Sequence, residues 1–89
     1  MNQRTKLRAI RRLKILEGQV RGLQRMVADD TYCIKILHQS SAVKEALCAI
    51  EDLILENHIS THLIEQIKGG KEQRSKKELM QVYRLCRRR

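Results

Sequence analysis

The chain has 89 residues, with 19 Lys and Arg against 10 Asp and Glu, a net charge of +9 and a pI near 10. That length supports one small domain, 1–89, and an aromatic content of 2 % with no Phe, Trp or Pro suits helices of Leu, Ile, Val and Ala rather than a large core. No apolar run approaches the roughly 18 residues of a membrane span, and no signal-peptide core is present. The protein is therefore expected in the cytoplasm, and its charge predicts a polyanionic partner, most simply nucleic acid.

A first helix is predicted from Thr5 to Ala28. Ala9, Leu13, Leu16, Val20, Leu23 and Val27 alternate at intervals of four and three, which makes a heptad-like seam. Gly18 and Gly22 fall within it. Glycine costs up to about 1 kcal/mol inside a helix, so the pair predicts close approach of a neighbouring helix. Arg4, Arg8, Arg11 and Arg12 recur about once a turn, with Lys6, Lys14, Arg21 and Arg25 nearby. No aromatic side chain interleaves with them, which disfavours stacking on single strands and favours duplex DNA held through phosphates and groove shape. Four chains at +9 each would carry +36, so such binding should weaken steeply with salt.

Asp29, Asp30 and Thr31 break this helix, and Asp30 or Thr31 can cap the next. The second helix is predicted as one run from Tyr32 to Ile67. Ile36, Val43, Leu47, Ile50 and Ile54 form a stripe on it, broadened by Ile34, Leu37, Ser41, Leu55, Ile59 and Leu63. A stripe this wide buries against more than one partner, as in a bundle. Gly69-Gly70 is the strongest stop signal in the chain. A third helix is predicted from Glu72 to Cys86, with Leu79, Val82, Tyr83 and Cys86 along one side, and Arg87–Arg89 form a basic tail. No strand-like alternation is present, so the fold class is all-α with three helices per subunit.

Three cysteines, an odd count without an export signal, argue against a disulfide framework and leave free thiols. Cys48 lies among apolar residues and reads as an inert buried thiol. Cys86 sits beside Arg84, Arg87 and Arg88 and reads as packed, and His38 as surface. His58 and His62 share a helix face at i, i+4 spacing, which lets two imidazoles chelate one ion. Alone, such a pair is more often ordinary surface. Cys33 lies 25 residues before His58, roughly 37 Å along a straight helix. If all three bind one ion, two copies of the helix must lie antiparallel, with Cys33 of one chain beside the histidines of the other. No nucleophile–base pair, phosphate loop or carboxylate pair stands out, so the chain is not read as an enzyme.

Further motifs sharpen this reading. Arg12-Leu13, Gly18, Gly22 and Met26 form an R-L-x4-G-x3-G-x3-M pattern. Tyr32-Cys33 follows, then Gln39-x-Ser41-Ala42-Val43, and finally His58-x3-His62. The combination, spread over nearly the whole chain, resembles the CsoR/RcnR family of metal-sensing transcriptional repressors. The resemblance implies three-helix subunits in antiparallel four-helix-bundle dimers that pair into tetramers. It implies operator DNA bound by the metal-free protein and released on metal binding, which would derepress genes of metal efflux or buffering. It places Cys33, His58 and His62 on the family's ligand positions, and Tyr32 and Glu78 on positions that support the ligands in the copper-sensing branch. Arg12 is its best candidate for DNA contact, followed by Arg4, Arg8 and Lys14.

His62 departs from the cysteine usual in copper sensors. Nickel and cobalt sensors carry His there but add a ligand near the N-terminus, and this chain has no His before position 38. Persulfide sensors need a second Cys at the position of His62, and formaldehyde sensors an N-terminal Pro, both missing here. One thiolate and two imidazoles make a three-coordinate set that suits Cu(I), whereas Zn(II) would want a fourth donor and Ni(II) or Co(II) about three more. Cu(I) is therefore the expected ion, with Ni(II), Co(II) or Zn(II) as alternatives. The competing class is a helical metal carrier that does not bind DNA.

Overall fold

A computed structural model describes residues 1–86; the Arg87–Arg89 tail and the Cys86 side chain lie outside the described residues. Every described element is helical: α1 (Gln3–Ala28), α2 (Cys33–His58), a π-helical turn (Ile59–Leu63), α3 (Ile64–Lys68) and α4 (Glu72–Cys86). Among the described residues no helix is long and apolar enough to cross a membrane. The chain divides into two compact units, Met1–Glu56 and the residues from Asn57 onward.

In the first unit α1 starts two residues earlier than its hydrophobic repeat suggests. The Asn2 side chain accepts the Thr5 N–H at 2.8 Å and so satisfies one of the free donors of the first turn. The helix ends in a Schellman motif: Thr31 N–H bonds Met26 O at 2.9 Å, and Asp30 N–H bonds Val27 O at 3.2 Å. This geometry needs a left-handed residue, and Asp30 supplies it with φ 54°. Asp30 thus closes α1 rather than capping α2, and α2 opens instead on the Tyr32 carbonyl, which accepts Lys35 N–H at 2.9 Å. A left-handed conformation is strained for a residue with a Cβ. Asp30→Gly is therefore expected to raise stability by about 0.5–1 kcal/mol, read as a shift of the urea midpoint at unchanged slope.

The heptad seam divides. Ala9 and Leu16 are buried and pack with Ile50 of α2, flanked by Val43, Ala46 and Leu53. The alternate positions Leu13, Val20 and Val27 remain exposed. A Cβ added at Gly18 or Gly22 would meet nothing within 4 Å, so the close approach expected at these glycines does not occur within this chain. The wide stripe on α2 is likewise only partly used, since Ile34, Leu37, Leu47 and Ile54 are exposed while Ile50 is fully buried.

In the second unit the helix expected to run unbroken to Ile67 widens into the π turn and continues as α3. The backbone stays right-handed at His58, Leu63 and Ile64. A second Schellman motif stops α3: Lys71 N–H bonds Gln66 O at 2.7 Å, Gly70 N–H bonds Ile67 O at 3.1 Å, and Gly70 takes φ 78°. The reversal lets α4 pack on α3. Ser75, 2 % exposed, donates its hydroxyl to Gln66 Oε1 at 2.8 Å, which fixes the register of the two helices. Leu63 is the buried apolar anchor of this unit.

Candidate metal centre and nucleic-acid interface

The two histidines end up side by side. His58 is the last residue of α2 and half-buried; His62 lies in the π turn and is exposed. Their ring centres are 5.6 Å apart with planes tilted by 31°. Two nitrogens that each bond one ion at about 2.0–2.1 Å lie at most about 4 Å apart. Rings at this separation can present nitrogens that close together, so the pair fits a shared ion.

Glu78 of α4 reaches the same place. Its Oε2 is 3.8 Å from His58 Nε2, and its Oε1 accepts Arg74 Nε–H at 3.1 Å. The Gly69-Gly70 reversal and the Gln66–Ser75 bond put α4 in the register that makes this possible. The contact to His58 exceeds hydrogen-bond length, so it is an electrostatic approach. Arg74–Glu78 is an i, i+4 pair open to solvent, a type that contributes about 0.3–0.5 kcal/mol.

Cys33 and Tyr32 belong to the first unit. Cys33 is the first residue of α2, with an exposed free thiol, and the Tyr32 side chain is exposed. Among the described residues no three His, Cys, Asp or Glu side chains gather into a metal-holding group within the chain. Cys48 is a half-buried free thiol in mid-helix, and His38 is exposed.

The basic residues concentrate on the N-terminal side. Residues 1–28 hold eight Lys or Arg and one acid, Glu17, and so carry +7 of the chain's +9. Glu17 is itself 3.5 Å from Arg21. Arg4, Arg8, Arg11, Arg12 and Lys14 are all exposed on α1, whose first turn contains no acid. They do not share one face. At 3.6 residues per turn Lys14 lies about 160° around the helix from Arg12, whereas Arg4, Arg8 and Arg11 lie within about 100° of it. Arg12 also lines a groove of about 350 Å³ with Ile15 and Gln19 of α1 and Ala46, Ala49 and Ile50 of α2. In the same groove Gln19 Oε1 is buried with no hydrogen-bond partner among the described residues.

The one feature of the site that sequence reasoning missed is the π turn. Its sign in the sequence is Thr61, whose hydroxyl donates to the Asn57 carbonyl four residues back at 2.7 Å. Such back-bonding bends helices.

Comparison with known proteins agrees with this architecture. The family described as metal-sensitive transcriptional repressor matches residues 5–85. The copper-sensing transcriptional repressor CsoR of Bacillus subtilis is 42% identical over 73 residues, 82% of this chain and 72% of that protein. The copper-sensing transcriptional repressor RicR of Mycobacterium tuberculosis is 48% identical over 60 residues, 67% of this chain and 62% of that protein. The crystal structure of the copper-sensing repressor CsoR with Cu(I) from Geobacillus thermodenitrificans superposes with a TM-score of 0.87 at 39% identity, covering 96% of this chain and 88% of that one. These relatives are repressors, not enzymes. An all-helical subunit with paired histidines, a basic first helix and a family match over nearly its whole length leads to one conclusion: the chain belongs to the metal-sensitive transcriptional repressors.

Proposed function

We propose that the chain, acting as a single domain in the cytoplasm, is a Cu(I)-responsive repressor. In this reading the metal-free protein binds double-stranded operator DNA through the basic side of α1, with Arg12 foremost and Arg4 and Arg8 beside it. Cys33 of one subunit and His58 and His62 of its partner take up Cu(I), and the DNA is released, derepressing genes of metal efflux or buffering. The observation that carries the reading is the adjacency of the two imidazoles with Glu78 against Nε2 of His58. A ligating histidine is oriented by a partner on its other ring nitrogen; Glu78, 3.8 Å from Nε2, is near enough to take that place after a small movement, which leaves Nδ1 for an ion. Tyr32, beside Cys33, would support the thiolate end of the same site. A donor set of one thiolate and two imidazoles suits a soft, low-coordinate ion, and the named relatives are copper sensors.

The need for a partner subunit has independent support. Cys33 and His58 occupy the two ends of a 26-residue helix. Among the described residues only four apolar side chains are buried, Ala9, Leu16, Ile50 and Leu63, while eighteen large hydrophobic residues are exposed. A core this small does not stabilise a chain of this length, and apolar surface on this scale marks contact surfaces. A homodimer in which antiparallel helices share the site, paired into a homotetramer, would cover it. Coupling between metal and DNA is reciprocal: if Cu(I) weakens operator binding by some factor, the operator weakens Cu(I) binding by the same factor.

Anaerobic titration of the reduced protein with Cu(I), Ni(II), Co(II) and Zn(II), following release of a fluorescent promoter fragment, tests the reading. Release at one Cu(I) per subunit is the expected result. Release by Zn(II), Ni(II) or Co(II) at lower concentration than Cu(I) would reassign the ion. A promoter fragment that never binds would leave a metal carrier.

A further inference from the structure

The turn that carries His62 is not an α-helical turn, and a side-chain hydrogen bond lies at its start. In an α-helix the Asn57 carbonyl takes the N–H of residue 61. Here the Thr61 hydroxyl donates to that same oxygen at 2.7 Å, immediately before the ladder changes to five-residue bonds over Ile59–Leu63. Asn57 is buried, so water does not compete freely for this site. π turns are rare, and where they occur they are frequently at functional sites; a Thr hydroxyl bonded four residues back competes with the backbone ladder at that point. The widened turn separates the two histidines: His58 precedes it and His62 lies inside it. Their 5.6 Å separation and 31° tilt are therefore set across the π turn, not along a regular α-helix.

We propose that Thr61 is a positioning residue for the His58–His62 pair: its hydroxyl on the Asn57 carbonyl holds the widened turn and so sets how the two imidazoles face a shared ion. The inference rests on the reading of these histidines as metal ligands, and it adds a residue outside that set. It makes the geometry of the pair, and with it the choice of ion, depend on a hydroxyl that is not one of the proposed donors.

The test compares Thr61→Val, which keeps the shape and removes the hydroxyl, with Thr61→Ser, which keeps the hydroxyl. In the metal-free protein, NMR contacts between the two rings and across residues 58–64 report the turn directly. In the loaded protein, competition titration gives the Cu(I) affinity and X-ray absorption gives the number of nitrogen and sulfur donors. Thr61→Val is expected to shift the turn towards α-helical contacts, to lower Cu(I) affinity about tenfold and to alter the donor shell, with metal-free operator binding unchanged. Thr61→Ser is expected to match the parent in all four readouts. A Thr61→Val protein with parental ring contacts overturns the proposal. So does one with a changed turn but parental Cu(I) affinity and donor shell. Failure of the ligand reading has a separate signature: His58→Ala and His62→Ala would then leave Cu(I) affinity of the parent untouched, and the proposal that the turn serves the ion would fall with it.

Discussion

A Cys33→Ala chain is expected to hold operator DNA as tightly as the parent and to keep holding it when Cu(I) is added. In the parent, allosteric coupling of the usual size, about 1–3 kcal/mol, makes Cu(I) weaken operator binding by roughly 5–150-fold. Without the thiolate that ratio should fall close to one. Cys33 is the first residue of α2 and exposed, so its loss leaves no cavity in the packing of Ala9, Leu16 and Ile50 and should not unfold the subunit. Fluorescence anisotropy on a promoter fragment, with and without Cu(I), measures both quantities. Loss of DNA binding together with the metal response would give Cys33 a folding role instead. A mixed assembly decides whether the site is shared. When a Cys33→Ala chain is paired with a His58→Ala, His62→Ala chain, one of the two sites in an antiparallel dimer keeps all its donors and the other loses all. About half the parental Cu(I) capacity is expected in verified heterodimers. No recovery there would rule against donors from two subunits.

The second large effect is expected at Arg12. Arg12→Ala should weaken operator binding on the order of tenfold to a hundredfold while the Cu(I) affinity of the DNA-free protein stays at the parental value. Arg12 is exposed at the rim of the groove between α1 and α2, on the side of α1 that also carries Arg4 and Arg8. A planar guanidinium there can meet a phosphate with two parallel N–H donors. The salt dependence supplies a second measure: removing one cation that neutralises a phosphate should lower the slope of log affinity against log salt by about 0.9. Lys14→Ala is the control, because Lys14 lies on nearly the opposite side of α1 and should change the affinity little. Equal losses of affinity at Arg12 and Lys14 would mean that DNA is not held by one face of this helix.

Most of the architecture is legible in the residue order because the signals are local. The start of α4, the Gly69-Gly70 stop and the break at Asp29-Asp30 follow from which residues tolerate a helix and which tolerate a left-handed turn. Asp30 marks the break in either case, but its role differs from the expected one, since capping and C-terminal closure draw on the same short polar side chains. The hydrophobic repeat marks a seam on α1 but not which half of it faces the subunit's own core. Ala9 and Leu16 turn inward while Leu13, Val20 and Val27 do not. A repeat of four and three alternates between two rows, and only the path of α2 decides which row it covers.

The helical class, the basic first helix and the kinds of donor available follow from residue order, because periodicity, charge and side-chain chemistry need no knowledge of what lies nearby. Two matters at the candidate site were not legible in residue order. Glu78 meets His58 although twenty residues separate them, since that contact depends on the turn at Gly69-Gly70 and the Ser75–Gln66 bond that sets the register of α4. The π turn at His62 is local to one helical run, but residue order offers only Thr61 as its sign, because a Thr can bond the carbonyl four residues back without widening the ladder.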